Sequence, residues 1–303
     1  MRIAHCSDLH LLSHDGARWI ELANKRWIGA MNLISNRSRH YHVAAFDDMV
    51  RDLNEQGVEH VLCTGDVTNL ALPREFAFAR QKFDQLSLGP TQVTVIPGNH
   101  DAYVAAGIPL FDDAFGPFAT TDDGWAWAEA DRTDAKDDLH WPIVRIRGDV
   151  AVIGCSTSRQ TPWFTAYGRI GAGQLARLGK VLADPRLAGK LRLVAIHHPP
   201  AGKHAKNRIR GLRDHHQFAE LIAAHGADLI VHGHEHRCLV GELPGPNGMI
   251  PVRGVCSGTY HHNNPEKTAR YRIYETAGNQ LVRDHVRIWD RESGRFTAAS
   301  GTI

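Results

Sequence analysis

An α/β fold with two sheets in one domain is predicted by three features of this sequence. Short apolar or β-branched runs alternate with segments whose apolar residues recur at helical spacing, which is typical of α/β proteins. Five of the apolar runs end in Asp, Asn or His, and glycine precedes three of those ends. No linker-like composition, internal repeat or low-complexity tract divides the 303 residues, so we expect a single domain over 1–303.

The first third of the chain alternates strands with helices. We predict a strand at Arg2–Ser7, a helix at Val43–Gln56, a strand ending at Asp66, a helix at Glu75–Leu86 and a strand at Val93–Ile96. Each strand is therefore followed by a helix that can carry the chain back across a parallel sheet.

The second half repeats this alternation and then changes. We predict two strands around a turn at Gly148–Asp149, a helix at Gly173–Leu182, a strand ending at His197, a helix at Asp214–His225 and a strand ending at His234. The segment 270–297 contains two alternating runs on either side of Gly278, which predicts a C-terminal antiparallel hairpin.

Two segments interrupt the alternation. The segment 102–142 spreads aromatic residues among Asp, Gly and Thr, and we interpret it as an aromatic loop region. The segment 18–42 mixes Trp19 and Trp27 with several Arg and Lys residues, which predicts an inserted basic amphipathic helix. That helix either packs on the body with a solvated basic face, caps the site or contacts a membrane.

The composition excludes some function classes. With 35 Lys and Arg against 33 Asp and Glu, the formal charge is +2 and gives no strong nucleic-acid signal. Five dispersed cysteines without CxxC spacing favour reduced thiols over a disulfide framework. The N-terminus has no signal-peptide core and no run could span a bilayer, so we expect a cytoplasmic protein, with a peripheral membrane location left open through 18–42.

Metal-ligating residue types gather at the five strand ends. They are Asp8 with His10, Asp66, Asn99 with His100, His197, and His234 with His236. Residues two apart in an extended segment point to the same side, so each spaced pair can address one site. Carboxylate, amide and imidazole ligands together suit Mn, Fe or Zn. The set is too large for one four-coordinate zinc, and it indicates two adjacent metals bridged by a carboxylate.

The motifs DLH, GD, GNHD, HHPP and GHEH, in that order over residues 3–260, resemble the calcineurin-like metallophosphoesterase superfamily. The run GCSTS, followed by a Gly-rich helix start and AIHHPP, is similar to the bacterial class III cyclic-nucleotide phosphodiesterase branch. The resemblance implies a four-layer αββα sandwich, with two mixed sheets flanked by helices and a dimetal site at the strand ends.

The resemblance also implies a role for each site residue. Asp8, His10 and His236 would hold one metal, Asp66 would bridge both, and Asn99, His197 and His234 would hold the other. His197 is preferred over its neighbour as the ligand because Pro199 fits the family spacing. His100 would act at the phosphate or leaving group, and Asp101 would either orient His100 or cap the turn. Asn99, His100 and His198 would face the substrate.

The function that follows is hydrolysis of phosphodiester bonds in a small phosphate ester, through in-line attack by a metal-bound hydroxide. One alternative is a lipid-linked nucleotide pyrophosphohydrolase of the UDP-diacylglucosamine type that uses 18–42, and another is a phosphomonoesterase. A scaffold that lost its site would lack ligands, and none is missing. The sequence leaves open the metal pair, the substrate and whether the chain forms a homodimer.

Overall fold

The computed structural model describes residues 1–11, 40–133, 137–262 and 267–299. Most of the predicted helix at 18–42 lies outside the described residues, which leaves that prediction open. The strands and helices are, in chain order, β1 Arg2–Cys6, α1 Val43–Glu55, β2 His60–Cys63, α2 Pro73–Phe83, β3 Val93–Val95, α3 Gly107–Phe115, β4 Ile143–Arg147, β5 Val150–Gly154, α4 Ala172–Leu182, β6 Leu191–Ala195, α5 Gly202–Ala205, α6 His215–His225, β7 Leu229–His232, β8 Val240–Gly245, β9 Gly248–Gly254, β10 Arg270–Ala277, β11 Gln280–Asp290 and β12 Arg295–Ala298.

The strands form two mixed sheets of six strands each. One sheet has the order β12-β11-β10-β1-β2-β3, in which β1, β2 and β3 are parallel. The other has the order β4-β5-β6-β7-β9-β8, in which β5, β6, β7 and β9 are parallel. The predicted α/β fold with two mixed sheets is confirmed, and the candidate ligands follow the parallel strands β1, β2, β3, β6 and β7.

The second sheet is buried on both faces, as the alternation along β6 shows. Leu193 and Ala195 belong to the apolar core that also contains Ile3 and Val61 of the first sheet. Val194, between them, packs instead with residues of α4 and α6 on the outer face. Because successive strand side chains point to opposite faces, one strand joins the inter-sheet core to the outer helix layer.

The outer face of the first sheet is covered by α1, α2 and α3. These helices contribute buried aromatic residues that include Phe46, Phe76 and Phe111. The layers are therefore helices, sheet, sheet and helices, and the parallel strands of both sheets end at one edge.

The segment 102–142 differs from the predicted aromatic loop region. It contains α3 as well as short 3₁₀ turns, and Phe111 and Phe115 of that helix are fully buried. The helix is only nine residues long and includes Pro109, so its apolar spacing is too short to be recognised from periodicity. Trp125 and Trp141 are also buried, which shows that these aromatic residues anchor the segment to the body.

None of the helices in the described part of the chain is both long enough and apolar enough to cross a membrane.

Candidate metal centre

The candidate ligands meet at one edge because the loops after β1, β2, β3, β6 and β7 converge there. Backbone hydrogen bonds connect these loops directly: Asp8 N–H donates to Gly65 O at 2.9 Å, and His10 N–H donates to Asp66 O at 2.9 Å. Within the second sheet, Gly233 N–H after β7 donates to His197 O after β6 at 3.1 Å. Hydrogen bonds between backbone groups therefore hold these loops together.

Five of the candidate ligands have a left-handed backbone. Their φ angles lie between 42° and 73°, and they are Asp8, His10, Asp66, His234 and His236. Such angles are uncommon outside glycine, although Asp and His adopt them more readily than most residues. Backbone strain of this kind collects at functional sites, where the surrounding structure over-determines the conformation.

The glycines beside the ligands are required by close approach. A Cβ at Gly98 would lie 2.1 Å from Oδ1 of Asp66, and one at Gly65 would lie 2.3 Å from the Gly98 nitrogen. A Cβ at Gly233 would lie 1.9 Å from Oγ of Ser7. Only glycine therefore lets these three loops pack this closely.

The first donor group contains Asp8, His10 and His236. His236 Nε2 lies 3.2 Å from Asp8 Oδ1 and 3.3 Å from His10 Nε2. His10 Nδ1 is 3.1 Å from the Thr68 carbonyl, to which it donates, so the lone pair of Nε2 faces the group. The three ligand atoms lie within 4.8 Å of one another, close enough for one cation.

The second donor group contains Asn99, His197 and His234. Asn99 Oδ1 lies 3.1 Å from His197 Nε2 and 2.7 Å from His234 Nδ1. His197 Nδ1 donates to the Thr64 carbonyl at 2.7 Å, which again turns Nε2 toward the site.

Asp66 lies between the two groups. Its Oδ2 is 3.4 Å from His197 Nε2 of the second group and 3.9 Å from His10 Nε2 of the first. The resemblance assigns the bridging carboxylate to this residue, and the observed position suits that role.

The charges of the two groups suit bound cations. Asp8 Oδ1 and His234 Nε2 are buried and have no hydrogen bond within the described structure. Burial lowers the pKa of His197, but the Asp66 and Asp8 carboxylates outweigh this effect and raise it to about 9. The site thus holds convergent oxygen and nitrogen donors in a field that favours positive charge, and the residues present fit two divalent ions.

His100 stands at the rim of the donor groups. It is half-buried, and its Nδ1 donates to the Asn69 carbonyl at 2.7 Å. Its backbone N–H donates to Asp66 Oδ1 at 2.7 Å, and its ring stacks on Tyr103 at 5.6 Å. The tautomer set by Asn69 turns Nε2 toward His10 and Asp66, whose ligand atoms lie within 4.8 Å.

Asp101 is fully buried beneath the centre. Its carboxylate accepts hydrogen bonds from Gly98 N–H at 2.8 Å, from Thr68 N–H at 2.9 Å and from Thr68 Oγ1 at 2.8 Å. Burial and the Asp66 charge raise the pKa of Asp101 to about 7, against the effect of these hydrogen bonds. The contacts join the loops after β2 and β3, and none of them reaches the ring of His100.

His198 is placed differently from the other candidate residues. Thr157 Oγ1 donates to its Nδ1 at 2.7 Å, and its Nε2 donates to the Ala166 carbonyl at 3.1 Å. Both ring nitrogens are therefore used within the protein. The ring packs 4.3 Å from that of His234, so the structure places His198 behind the donor groups.

Sequence reasoning missed several residues that position the ligands. Tyr41 is buried, and its ring lies 4.8 Å from that of His10. Ser257 Oγ donates to the Asp8 carbonyl at 2.6 Å, and Glu235 lies 3.0 Å from His204. Glu235 could have been found from the sequence, because it stands within the GHEH motif. Tyr41 and Ser257 could not, because each contacts a ligand residue more than 30 positions away.

Comparisons with known proteins agree with this fold. Residues 1–238 match the family model described as calcineurin-like phosphoesterase. The fold is similar to that of a dimetal phosphatase from Danio rerio, with 13% identity, TM-score 0.60 and 95% of each chain covered. It is also similar to the purple acid phosphatase PPD1 from yellow lupin, with 11% identity, TM-score 0.54 and coverage of 98% of this chain and 52% of that one. No curated protein matches the chain in sequence.

Proposed function

Because the chain belongs to the calcineurin-like phosphoesterase family, we propose that it hydrolyses phosphodiester bonds in a small phosphate ester. The observation that carries the proposal is the pair of donor groups that share Asp66, with the imidazole of His100 beside them. The family uses a dinuclear divalent metal centre, and Mn, Fe and Zn all suit the donors present.

Each proposed ligand is assigned to one or both of the two ions. Asp8, His10 and His236 would hold one ion, Asn99, His197 and His234 the other, and Asp66 both. When bound, the ions supply charge neutralisation for the phosphoryl oxygens and lower the pKa of water. The protein fixes the orientation of these ligands through hydrogen bonds to the Thr64 and Thr68 carbonyls and through the left-handed backbone described above.

His100 is proposed as the proton donor. Its Nδ1 hydrogen is held by the Asn69 carbonyl, so Nε2 faces the centre and, when the imidazole is protonated, donates to the phosphate or to the leaving oxygen. General acid catalysis by a positioned side chain typically contributes about 10²–10⁴-fold. We assign Asp101 the role of a positioning residue, since its hydrogen bonds fasten the loops that carry Asp66 and Asn99.

The charge around the centre supports a diester rather than a monoester. Within the described structure, no Lys or Arg side chain is hydrogen-bonded to any of the seven proposed ligands. A ring nitrogen of His100 lies within 4.8 Å of the ligand atoms of His10 and Asp66. A diester carries one negative charge and a monoester carries close to two, so a centre whose ligands make no hydrogen bond to Lys or Arg suits the diester better.

Hydrolysis of bis(p-nitrophenyl) phosphate and of p-nitrophenyl phosphate with added Mn²⁺ tests the proposal. The diester should be cleaved faster, and Asn99→Ala should abolish cleavage, whereas Asn247→Ala, at an exposed turn, should not change it. His100→Asn should lower kcat without removing metal-dependent thermal stabilisation. A faster monoester reaction, or an active Asn99→Ala variant, would overturn the proposal.

A further inference from the structure

A pair of loops beside the metal centre exposes large apolar side chains. Phe164 is 78% exposed, Trp163 is 55% exposed and Ile209 is 54% exposed. They belong to the segments 159–169 and 203–213, which we call the outer loop pair. Exposed apolar side chains that cluster in this way mark interaction surfaces more often than isolated ones do.

The two segments form one surface. Ala166 N–H donates to Ile209 O at 2.9 Å, and Gly168 N–H donates to Gly211 O at 3.0 Å. Arg213 N–H donates to Gly168 O at 2.9 Å, and the Arg213 guanidinium lies 4.3 Å from the centre of the Tyr167 ring. Ile209 is therefore held beside the turn that carries the two aromatic residues.

The aromatic residues are presented by a structured turn. Thr165 N–H and Oγ1 both donate to the Pro162 carbonyl, at 3.2 and 2.7 Å. Phe164, at the tip, has a φ of 64°, and its side chain is the most exposed among the large apolar residues of the described structure. A bulky residue in this conformation is strained, and such strain persists where the surrounding structure holds the backbone in place.

The outer loop pair is strongly basic. Its two segments contain seven Lys and Arg residues and no Asp or Glu, although the whole chain has 35 against 33. The cations are Arg159, Arg169, Lys203, Lys206, Arg208, Arg210 and Arg213. An excess of positive charge thus lies on the surface that exposes the apolar side chains.

This surface is connected to the metal centre. The Ala166 carbonyl accepts the Nε2 hydrogen of His198, whose ring packs 4.3 Å from that of His234. From the second segment, His204 lies 3.0 Å from Glu235, which follows His234 in the chain. The outer loop pair therefore borders the proposed reaction site.

We propose that the outer loop pair docks the protein on anionic lipid bilayers. Aromatic and aliphatic side chains at the tip would enter the headgroup region, and the surrounding cations would contact anionic headgroups. Two features favour a bilayer over single-stranded nucleic acid. Ile209 has no ring on which a base can stack, and the aromatic pair sits at the tip of a turn rather than along a groove. The docking does not depend on which phosphate ester is hydrolysed.

Vesicle sedimentation of the full chain tests the docking. The wild type should sediment with vesicles of phosphatidylcholine and phosphatidylglycerol, and much less with phosphatidylcholine alone. Arg208→Gln with Arg210→Gln should lower partitioning about thirtyfold, because each cation near an anionic surface is worth about 1 kcal/mol. Trp163→Ser with Phe164→Ser should also lower it, by about tenfold or more.

Matched controls separate this surface from the rest of the chain. Arg283→Gln with Arg295→Gln changes two exposed cations elsewhere, and Met249→Ser with Val282→Ser changes two exposed apolar residues, at 57% and 58%. Both control variants should sediment like the wild type, and all variants should keep the wild-type melting temperature. Tryptophan emission should shift to the blue on vesicle addition, and the shift should decrease in Trp163→Phe.

Several outcomes would overturn the proposal. Unchanged sedimentation in both outer-loop variants would place the membrane contact elsewhere in the chain. An equal loss of sedimentation in the control variants would show that vesicle binding depends on overall charge or hydrophobicity and not on this surface. Binding of a labelled single-stranded oligonucleotide that depends on Arg208 and Arg210, without vesicle binding, would assign the surface to nucleic acid.

Discussion

Asp66 holds the backbone of His100 while its other carboxylate oxygen faces the ligand histidines. Oδ1 accepts the His100 N–H at 2.7 Å, and Oδ2 lies 3.4 Å from His197 Nε2. One side chain thus connects both donor groups with the proposed proton donor, and a change at Asp66 should affect metal binding and catalysis together.

Asp66→Asn removes the negative charge of this side chain and keeps its shape. The amide oxygen can still accept the His100 N–H, but the negative charge between the two groups is lost. We expect diester hydrolysis to fall at least about a hundredfold and Mn²⁺ to lose most of its effect on the melting temperature. Exposed Asp123→Asn is the control. A variant that Mn²⁺ stabilises as strongly as the wild type would contradict the bridging role.

Gly98→Ala should disrupt the centre without changing any ligand. Its Cβ would lie 2.1 Å from Asp66 Oδ1, so either the loop or the carboxylate must move. We expect reduced hydrolysis and weaker Mn²⁺ binding, measured by calorimetric titration. Gly116→Ala is a suitable control, because its Cβ would meet nothing within 4 Å and its backbone has an ordinary φ. Equal Mn²⁺ affinity in Gly98→Ala and Gly116→Ala would show that metal binding does not require the close approach of Gly98 to Asp66.

Asp101→Ala should lower stability because it leaves buried donors of Gly98 and Thr68 without an acceptor. Each such group costs about 1–3 kcal/mol, so we expect a loss of roughly 2–4 kcal/mol in urea unfolding. Asp101→Asn keeps one acceptor oxygen and should lose less.

The pH profile distinguishes a positioning role for Asp101 from a catalytic one. If Asp101 only positions the loops, Asp101→Asn should lower kcat while the shape of the pH–rate profile stays that of the wild type. Loss of one limb of the profile would instead show that the carboxyl takes part in proton transfer.

His60 should make the folded state less stable in mild acid. Burial, together with the positive charge of Arg145, lowers the pKa of His60 to about 3, well below its ordinary value of about 6.5. Below pH ~6.5 the unfolded chain binds a proton that the folded chain does not. The stabilisation is therefore complete above pH ~6.5 and is lost as the pH falls toward about 3, by up to about 1.4 kcal/mol per pH unit.

Urea unfolding at about pH 7.5 and about pH 5, on either side of the ordinary histidine pKa, tests this expectation. His60→Gln should reduce the slope of unfolding free energy against pH, whereas exposed His216→Gln should leave it unchanged. An equal slope in His60→Gln and the wild type would show that His60 is not the group responsible.

The motifs at the strand ends could be predicted because their signals are local. A β-branched run, a glycine and then Asp, Asn or His lie within a few residues, and parallel strands bring such ends to one edge. The α/β fold with two sheets followed from the same alternation, and the mixed, four-layer arrangement of those sheets followed from the resemblance to the family. The nine-residue helix α3 could not be recognised, since its apolar spacing is short and its aromatic residues are buried by contacts with distant segments.

By itself, the sequence determined which residue types stand at the strand ends and hence the kind of chemistry they suit. Only the tertiary structure decided the orientation of each side chain. His197 faces Asp66 and Asn99, but its neighbour His198 uses both ring nitrogens on Thr157 and Ala166. The physical reason is that these hydrogen bonds join residues 30 or more positions apart, as do the bonds that unite the outer loop pair. No local pattern encodes such contacts, so they exist only once the chain has folded.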